Sequence, residues 1–231
     1  MTATLTIQGL EVRYGETVAL TGVDLELPAG SSLAVIGPNG SGKSTLLNAI
    51  AGINPPFAGT ISWGGDAPAL VLQSTSVDRS LPITVRDTIG LGRYPRLGLF
   101  RRFNGTDGGA VAQAMERLDI TDLAGEQLHD LSGGQRQRVL VAQGLAQQSD
   151  LLLLDEPVTG LDVTSRGLIL DVIHDEATRG NSVIVTTHDL DDARICDQVL
   201  LVDRHAIAVG PPDHVLTDCL LYTSPSPRDR G

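Results

Sequence analysis

Four places in the chain carry residues whose types and spacing can do phosphate chemistry. Gly37-Pro38-Asn39-Gly40-Ser41-Gly42-Lys43-Ser44-Thr45 fits the phosphate-binding loop pattern, two glycines separated by four residues and followed by Lys and Ser or Thr. Glycines let the backbone wrap tightly, so that successive N–H groups point at an anion. Lys43 can then reach the β- and γ-oxygens of a nucleotide, and the Ser44 hydroxyl can hold Mg²⁺. Much further along, the apolar run 151–154 ends in Asp155-Glu156. A buried strand ending there places Asp155 beside the loop to bind Mg²⁺ through water, and Glu156 can polarise an attacking water as general base. His188 directly follows the strand-like VIVTT. That position is the carboxyl end of a strand, the ligand side of an α/β sheet, from which a His can contact a γ-phosphate and place water. A second glycine cluster, LSGGQ at 131–135, opens another helix-like stretch, where backbone amides also attract anions.

The elements that must position these residues follow from periodicity. LTIQGLEVRY and VALTGVDLEL alternate as short strands do, with turn residues Gly15-Glu16 between them, and predict an N-terminal antiparallel β part. SSLAVIG (31–37) is the compact apolar run of a buried central strand. The following KSTLLNAIAG sets Leu46, Leu47, Ile50 and Ala51 on one helical face and stops at Gly52. TISWGG and PALVLQ read as two further strands. From 74 to 148 strand texture gives way to helical spacing, with Val111, Met115 and Leu118 on one stripe and Val139, Leu140 and Leu145 on another. Residues 97–109 read as a basic connection without periodicity. Strand texture returns at 150–157, followed by a helix near 164–178 and strands in SVIVTTH and QVLLVDR. The expected fold is α/β, a P-loop core with a mainly parallel sheet (strands 31–36, 68–72, 151–155 and 182–187). Residues 1–73 and 149–218 would form this core and 74–148 an inserted helical subdomain, all within one domain, 1–218. Residues 219–231, CLLYTSPSPRDRG, read as a disordered or non-native tail.

Composition limits the partners. The 231 residues carry a net charge of −11, which argues against a protein whose main task is gripping nucleic acid. Hydrophobic content is 41% but aromatics only 3%, so the core must be Leu, Val, Ile and Ala. Cys196 and Cys219 make no framework or Cys-x-x-Cys pair, and a reducing cytosol fits them best. The N-terminus lacks a signal-peptide pattern, and no apolar run approaches the ~20 residues needed to span a bilayer. A membrane role would therefore act through a partner. His129, His174, His205 and His214 are scattered without ligand spacing, so no dedicated zinc site is expected.

Taken in order, these motifs resemble the ATP-binding subunit of ABC transporters over residues 4 to 216. LSGGQ at 131–135 is similar to the family signature without a change, and the loop, signature and LLLLDEP together are highly specific. The resemblance implies an ATPase using Mg²⁺. It implies that Tyr14 stacks on adenine, although a strand aromatic packed on the core is the other reading of that residue. It implies that Gln73 touches Mg²⁺ and senses a membrane partner, that the Gly160-Leu161-Asp162 loop crosses a dimer interface, and that His188 is a switch histidine. Family members work as head-to-tail dimers in which the signature of one subunit, here Ser132, Gly133, Gly134 and Gln135, covers the ATP held by the other. Lacking an internal repeat, this chain would take its second copy from another chain, most simply an identical one. The resemblance departs at Leu72, where Pro is frequent, and at Thr159-Gly160, where Ser-Ala is common.

Residues 76–102 are similar to the corresponding segment of zinc and manganese importer ATPases. Asp78, Pro82, Thr84, Val85, Asp87, Gly92, Arg93, Tyr94, Gly98, Arg101 and Arg102 carry the likeness. The alternative is a solvated loop and helix whose arginines have no such role. The implied partners are a transmembrane permease on the cytoplasmic membrane face and an extracytoplasmic metal-binding protein. An ATPase for iron–siderophore import or for an exporter, and a soluble ABC ATPase of iron–sulfur assembly, are the rival readings.

Overall fold

A computed structural model describes residues 4–73, 82–97 and 102–216. In chain order the elements are β1 (Leu5–Tyr14), β2 (Thr17–Leu27), β3 (Ser32–Ile36), α1 (Lys43–Ile50), β4 (Ala58–Ser62), β5 (Ala69–Val71), α2 (Val85–Leu91), α3 (Tyr94–Leu97), α4 (Gly105–Arg117), α5 (Gly133–Ala146), β6 (Leu151–Asp155), α6 (Val163–Thr178), β7 (Ser182–Thr187), α7 (Leu190–Arg194), β8 (Gln198–Val202), β9 (Ala206–Gly210) and α8 (Pro212–Val215). The fold is the α/β arrangement expected from sequence. A three-stranded antiparallel sheet has the order β2-β1-β4, and a six-stranded sheet has the order β5-β6-β7-β3-β8-β9. Only the β8–β9 pairing in the larger sheet is antiparallel.

β3, β6 and β7 are buried along their whole lengths, which is why they read as unbroken apolar runs. Because side chains alternate across a strand, β3 feeds two cores. Leu33 and Val35 join Leu46, Leu47 and Ile50 of α1 and the inner face of β1 and β2. Ala34 and Ile36 join the helical side, with Val139 and Val141 of α5 and Ile169 and Val172 of α6. The phosphate loop and the helix after it are thus held between a sheet pair, while the signature helix lies on the opposite face.

The helical part departs from expectation in one place. Residues 97–109 were expected to be an aperiodic connection, but α4 starts at Gly105. Asn104 caps it: its side chain accepts from Thr106 and Asp107, while the Asp107 carboxylate accepts from the Asn104 N–H at 3.0 Å. This capping box offsets three helix-weakening glycines at 105, 108 and 109. Arg93 does not belong to a solvated face. Buried, it pairs with Asp107 at 2.9 Å and donates to the Ala146 carbonyl at 2.7 Å, joining the α2–α3 corner to α4 and the end of α5. At the other end of the chain QVLLVDR does not continue as strand through Arg204. β8 stops at Val202, the chain turns at 203–205, and β9, which periodicity did not reveal, returns beside it. Asp78, Gly98, Arg101 and the expected tail 219–231 lie outside the described residues.

Candidate functional site

Five strands of one sheet, β5, β6, β7, β3 and β8, run parallel, so their carboxyl ends share an edge, and the phosphate loop leaves from within it. Gly37 follows β3 where no side chain fits: a Cβ there would stand 2.1 Å from the Val202 carbonyl oxygen. Gly42, at φ +103, starts α1 without any side-chain cap. The first N–H groups of α1 therefore have no partner of their own, the condition that makes a helix start an anion site. Lys43 is only 5% exposed, and its Nζ donates to the Gly37 carbonyl at 2.9 Å and the Pro38 carbonyl at 3.2 Å. Ser41, 1% exposed, has an Oγ without a hydrogen-bond partner. A buried hydroxyl left unsatisfied inside a glycine cradle fits a ligand that brings oxygen acceptors.

The loop borders a cleft of about 480 Å³ lined by Thr17, Val18 and Ala19 of β2, by Asn39, Gly40, Gly42, Lys43, Ser44 and Thr45, and by Gln73, Glu156 and Arg204. Glu156 enters it in a left-handed conformation, φ +47. Its Oε2 accepts from Gln73 Nε2 at 3.3 Å and from Thr159 Oγ1 at 3.4 Å, and its Oε1 lies 3.8 Å from Lys43 Nζ. Asp155 is buried behind it. Thr186 of β7 fixes both: its Oγ1 donates to Asp155 Oδ1 at 2.7 Å and accepts from the Glu156 N–H at 2.8 Å. Thr186 was not anticipated, because a threonine inside a β-branched strand gives no sign of which polar groups it meets.

Tyr14, His188 and the 131–135 cluster do not line this cleft. Tyr14 is 52% exposed, and its hydroxyl accepts from Asn54 Nδ2 at 2.7 Å, so packing in the core does not describe it. His188 is exposed just past β7, next to Asp189, whose N–H is held by Thr187 Oγ1. Ser132 caps α5: its Oγ accepts from the Gln135 N–H at 3.2 Å, and Gln135 Oε1 accepts from the Ser132 N–H at 2.9 Å. Gly134 sits so close to α6 that a Cβ would be 2.4 Å from Asp162 Oδ2 and 2.5 Å from Ser165 Oγ. Asp162 in turn caps α6 through the Ser165 N–H at 2.9 Å, and this bond holds its carboxyl below the usual carboxylate range. Ser132, Gly133 and Asp162 therefore belong to one surface, on which Val163 is 90% exposed.

Arg204 was missed by the sequence reading, which placed it at the end of a strand. The available signal was the polar triplet Asp203-Arg204-His205 between two apolar runs. Among the described residues no helix is long and apolar enough to cross a membrane, and no group of three metal-ligating side chains gathers.

The model of the ABC transporter family matches residues 20–159. The chain is 36% identical over 221 residues to the manganese transport system ATP-binding protein MntB of Listeria monocytogenes, covering 92% of each protein. It is 40% identical over 225 residues to the hemin import ATP-binding protein HmuV of Streptomyces coelicolor, covering 92% of this chain and 80% of that one. An inward-facing ABC transporter assigned to the metal-chelate type superposes with a TM-score of 0.86 at 30% identity, over 95% of this chain and 87% of that one.

Proposed function

The chain belongs to the ABC transporter family as an ATP-hydrolysing subunit, and from that membership we propose that it powers an importer of divalent metal ions, manganese or zinc. The observation that carries the ATPase chemistry is the cleft that joins Lys43, Ser44, Gln73 and Glu156. In it the loop 37–45 holds the phosphates of ATP through backbone N–H groups, and Lys43 exchanges two loop carbonyls for phosphate oxygens. Ser44 and Gln73, with Asp155 acting through water, are the residues suited to hold Mg²⁺, which when bound neutralises charge on the β- and γ-oxygens. Glu156 takes the proton of the attacking water, and Gln73 and Thr159 orient its carboxylate. His188 approaches the γ-phosphate from the end of β7, and Tyr14 supplies the adenine stack.

The signature residues support a dimer by where they are. Ser132, Gly133, Gln135 and Asp162 form a surface outside the chain's own cleft, above a buried Gly134 packed on α6, and exposed Val163 extends it. A second copy, placed head to tail, would bring this surface over the γ-phosphate. The core 1–73 and 149–218 and the helical part 74–148 then divide the work. The helical part carries a partly apolar groove between Leu91, Tyr94 and Phe103, all exposed, where a transmembrane permease on the cytoplasmic face of the membrane would dock. An extracytoplasmic metal-binding protein completes the importer.

Manganese and zinc rest on the relatives that carry manganese in their names and on the similarity of residues 76–102 to metal-importer ATPases. Deletion of the gene is expected to reduce manganese or zinc uptake under scarcity, with recovery by the wild-type gene but not by Glu156→Gln. The 40% identity to the hemin import protein favours iron-complex import as the second reading. Loss of hemin or siderophore uptake with unchanged manganese and zinc uptake would establish that reading instead.

A further inference from the structure

We propose that Arg204 is a further nucleotide-binding residue, whose guanidinium pairs with the α-phosphate of ATP and of ADP alike. Four described non-glycine residues have positive φ, and two of them, Glu156 and Arg204, line the same cleft. Left-handed backbone at a non-glycine residue is strained and gathers where function holds it. At Arg204, φ +59, two hydrogen bonds enforce it. Its N–H donates to the Ser41 carbonyl at 2.8 Å, and its own carbonyl accepts from the Thr21 N–H at 2.9 Å. The side chain therefore starts from a point fixed to the phosphate loop itself. Among the described residues its guanidinium has no hydrogen-bond or ion-pair partner, although the chain as a whole carries a net charge of −11. A permanently charged, unpaired guanidinium on the rim of a phosphate cleft is suited to bidentate phosphate pairing.

The strand order decides which phosphate it meets. β3, which carries the loop, lies between β7 and β8. Glu156 follows β6 on one flank of the loop, and Arg204 follows β8 on the other, where Thr17, Val18 and Ala19 of β2 also face the cleft. A nucleotide whose γ-phosphate lies at Glu156 runs across the loop with its α-phosphate and sugar toward β2 and Arg204. The guanidinium is then remote from the bond that breaks, so its contribution is to affinity and not to the chemical step.

This rests on the reading of the cleft as an ATP site, and the test separates the two. Binding of ATP and ADP is measured by calorimetry for the wild type, Arg204→Gly, Arg204→Lys and Lys43→Ala, with hydrolysis at saturating ATP in parallel. Glycine adopts φ +59 without strain and keeps both backbone hydrogen bonds, so Arg204→Gly removes the charge while leaving the turn. Its Kd for both nucleotides is expected to rise about tenfold, equivalent to about 1.4 kcal/mol, with kcat within about twofold of wild type. Arg204→Lys should recover part of the loss, and the salt dependence of binding should be weaker in Arg204→Gly than in wild type. Unchanged affinity in Arg204→Gly, alongside weakened binding in Lys43→Ala, would overturn the role of Arg204 and leave the ATP site standing. A loss confined to ATP would overturn the α-phosphate assignment. A wild-type chain that binds neither nucleotide would overturn both.

Discussion

The helices that follow the two glycine clusters with phosphate-binding character, α1 and α5, begin in opposite ways. α1 starts at Gly42 with no side chain satisfying its first N–H groups, and the buried Ser41 hydroxyl beside them is also unpartnered. α5 starts at Ser132 with a complete capping box from Ser132 and Gln135. At the first helix start no side chain satisfies a donor; at the second the box satisfies two, the N–H groups of Ser132 and Gln135, and leaves those of Gly133 and Gly134 without a side-chain acceptor. This is the expected division between a loop that binds its own nucleotide and a preformed surface offered to a nucleotide held elsewhere. Both carry glycine for close approach, but at Gly37 the neighbour is the Val202 carbonyl of the loop's own sheet, and at Gly134 it is Asp162 and Ser165 of the next helix.

The largest effect is expected where the contrast is set aside and only chemistry is removed. Glu156→Gln leaves both helix starts intact and should lower the hydrolysis rate by about 10²- to 10⁴-fold while ATP binding persists, and an ATP-bound dimer should accumulate on gel filtration. Normal turnover in that variant would take Glu156 out of the base role. The next effect sharpens the contrast directly. ATP with Mg²⁺ at about 100 times its Kd should stabilise the protein by roughly 2.7 kcal/mol, read as a rise in Tm. Lys43→Ala should lose most of that rise and Ser132→Ala should keep it. Equal loss in both would mean that the two helix starts serve one chain's nucleotide together. Without nucleotide, Ser132→Ala alone should cost about 1 kcal/mol through the lost cap, lowering Tm by roughly 2–4 °C. The smallest effect concerns Asp162, whose carboxyl the Ser165 N–H holds below the usual carboxylate range. A depressed folded-state value gives stability that is present above about pH 4 and is lost as pH falls through the lowered value. In acid unfolding, Asp162→Asn should flatten that part of the curve, and an unchanged curve would show that the cap carries no charge-dependent stability.

Much of the fold was legible because burial on two faces leaves a plain record. β3, β6 and β7 are enclosed by helices and a second sheet, so their apolar runs stand out and end where the chemistry begins. β9 was not legible: its side chains alternate between half-buried and exposed, and among the described residues it is an edge strand paired with β8 alone. The start of α4 was hidden by its three glycines, which lower helix propensity, while the Asn104–Asp107 cap that compensates for them acts through geometry. A solvated helix was the alternative reading for Arg93 because charge in a sequence does not disclose a buried partner 14 residues away.

What the sequence determined by itself was the inventory of phosphate chemistry. The glycine spacing around Lys43, the apolar run ending in Asp155-Glu156 and the LSGGQ cluster each depend on local backbone freedom or strand burial, which nearest neighbours encode. What only the tertiary structure decided was how these pieces combine. It placed Thr186 between Asp155 and Glu156, set Gln73 against the Glu156 carboxylate, and left Ser132 and Gly133 outside the lining of the chain's own cleft. It also brought Arg204 onto the rim of the phosphate loop, across 160 residues of chain. The reason is physical: strand order in a sheet sets which carboxyl ends are neighbours, and long-range pairing fixes that order where local sequence preference cannot.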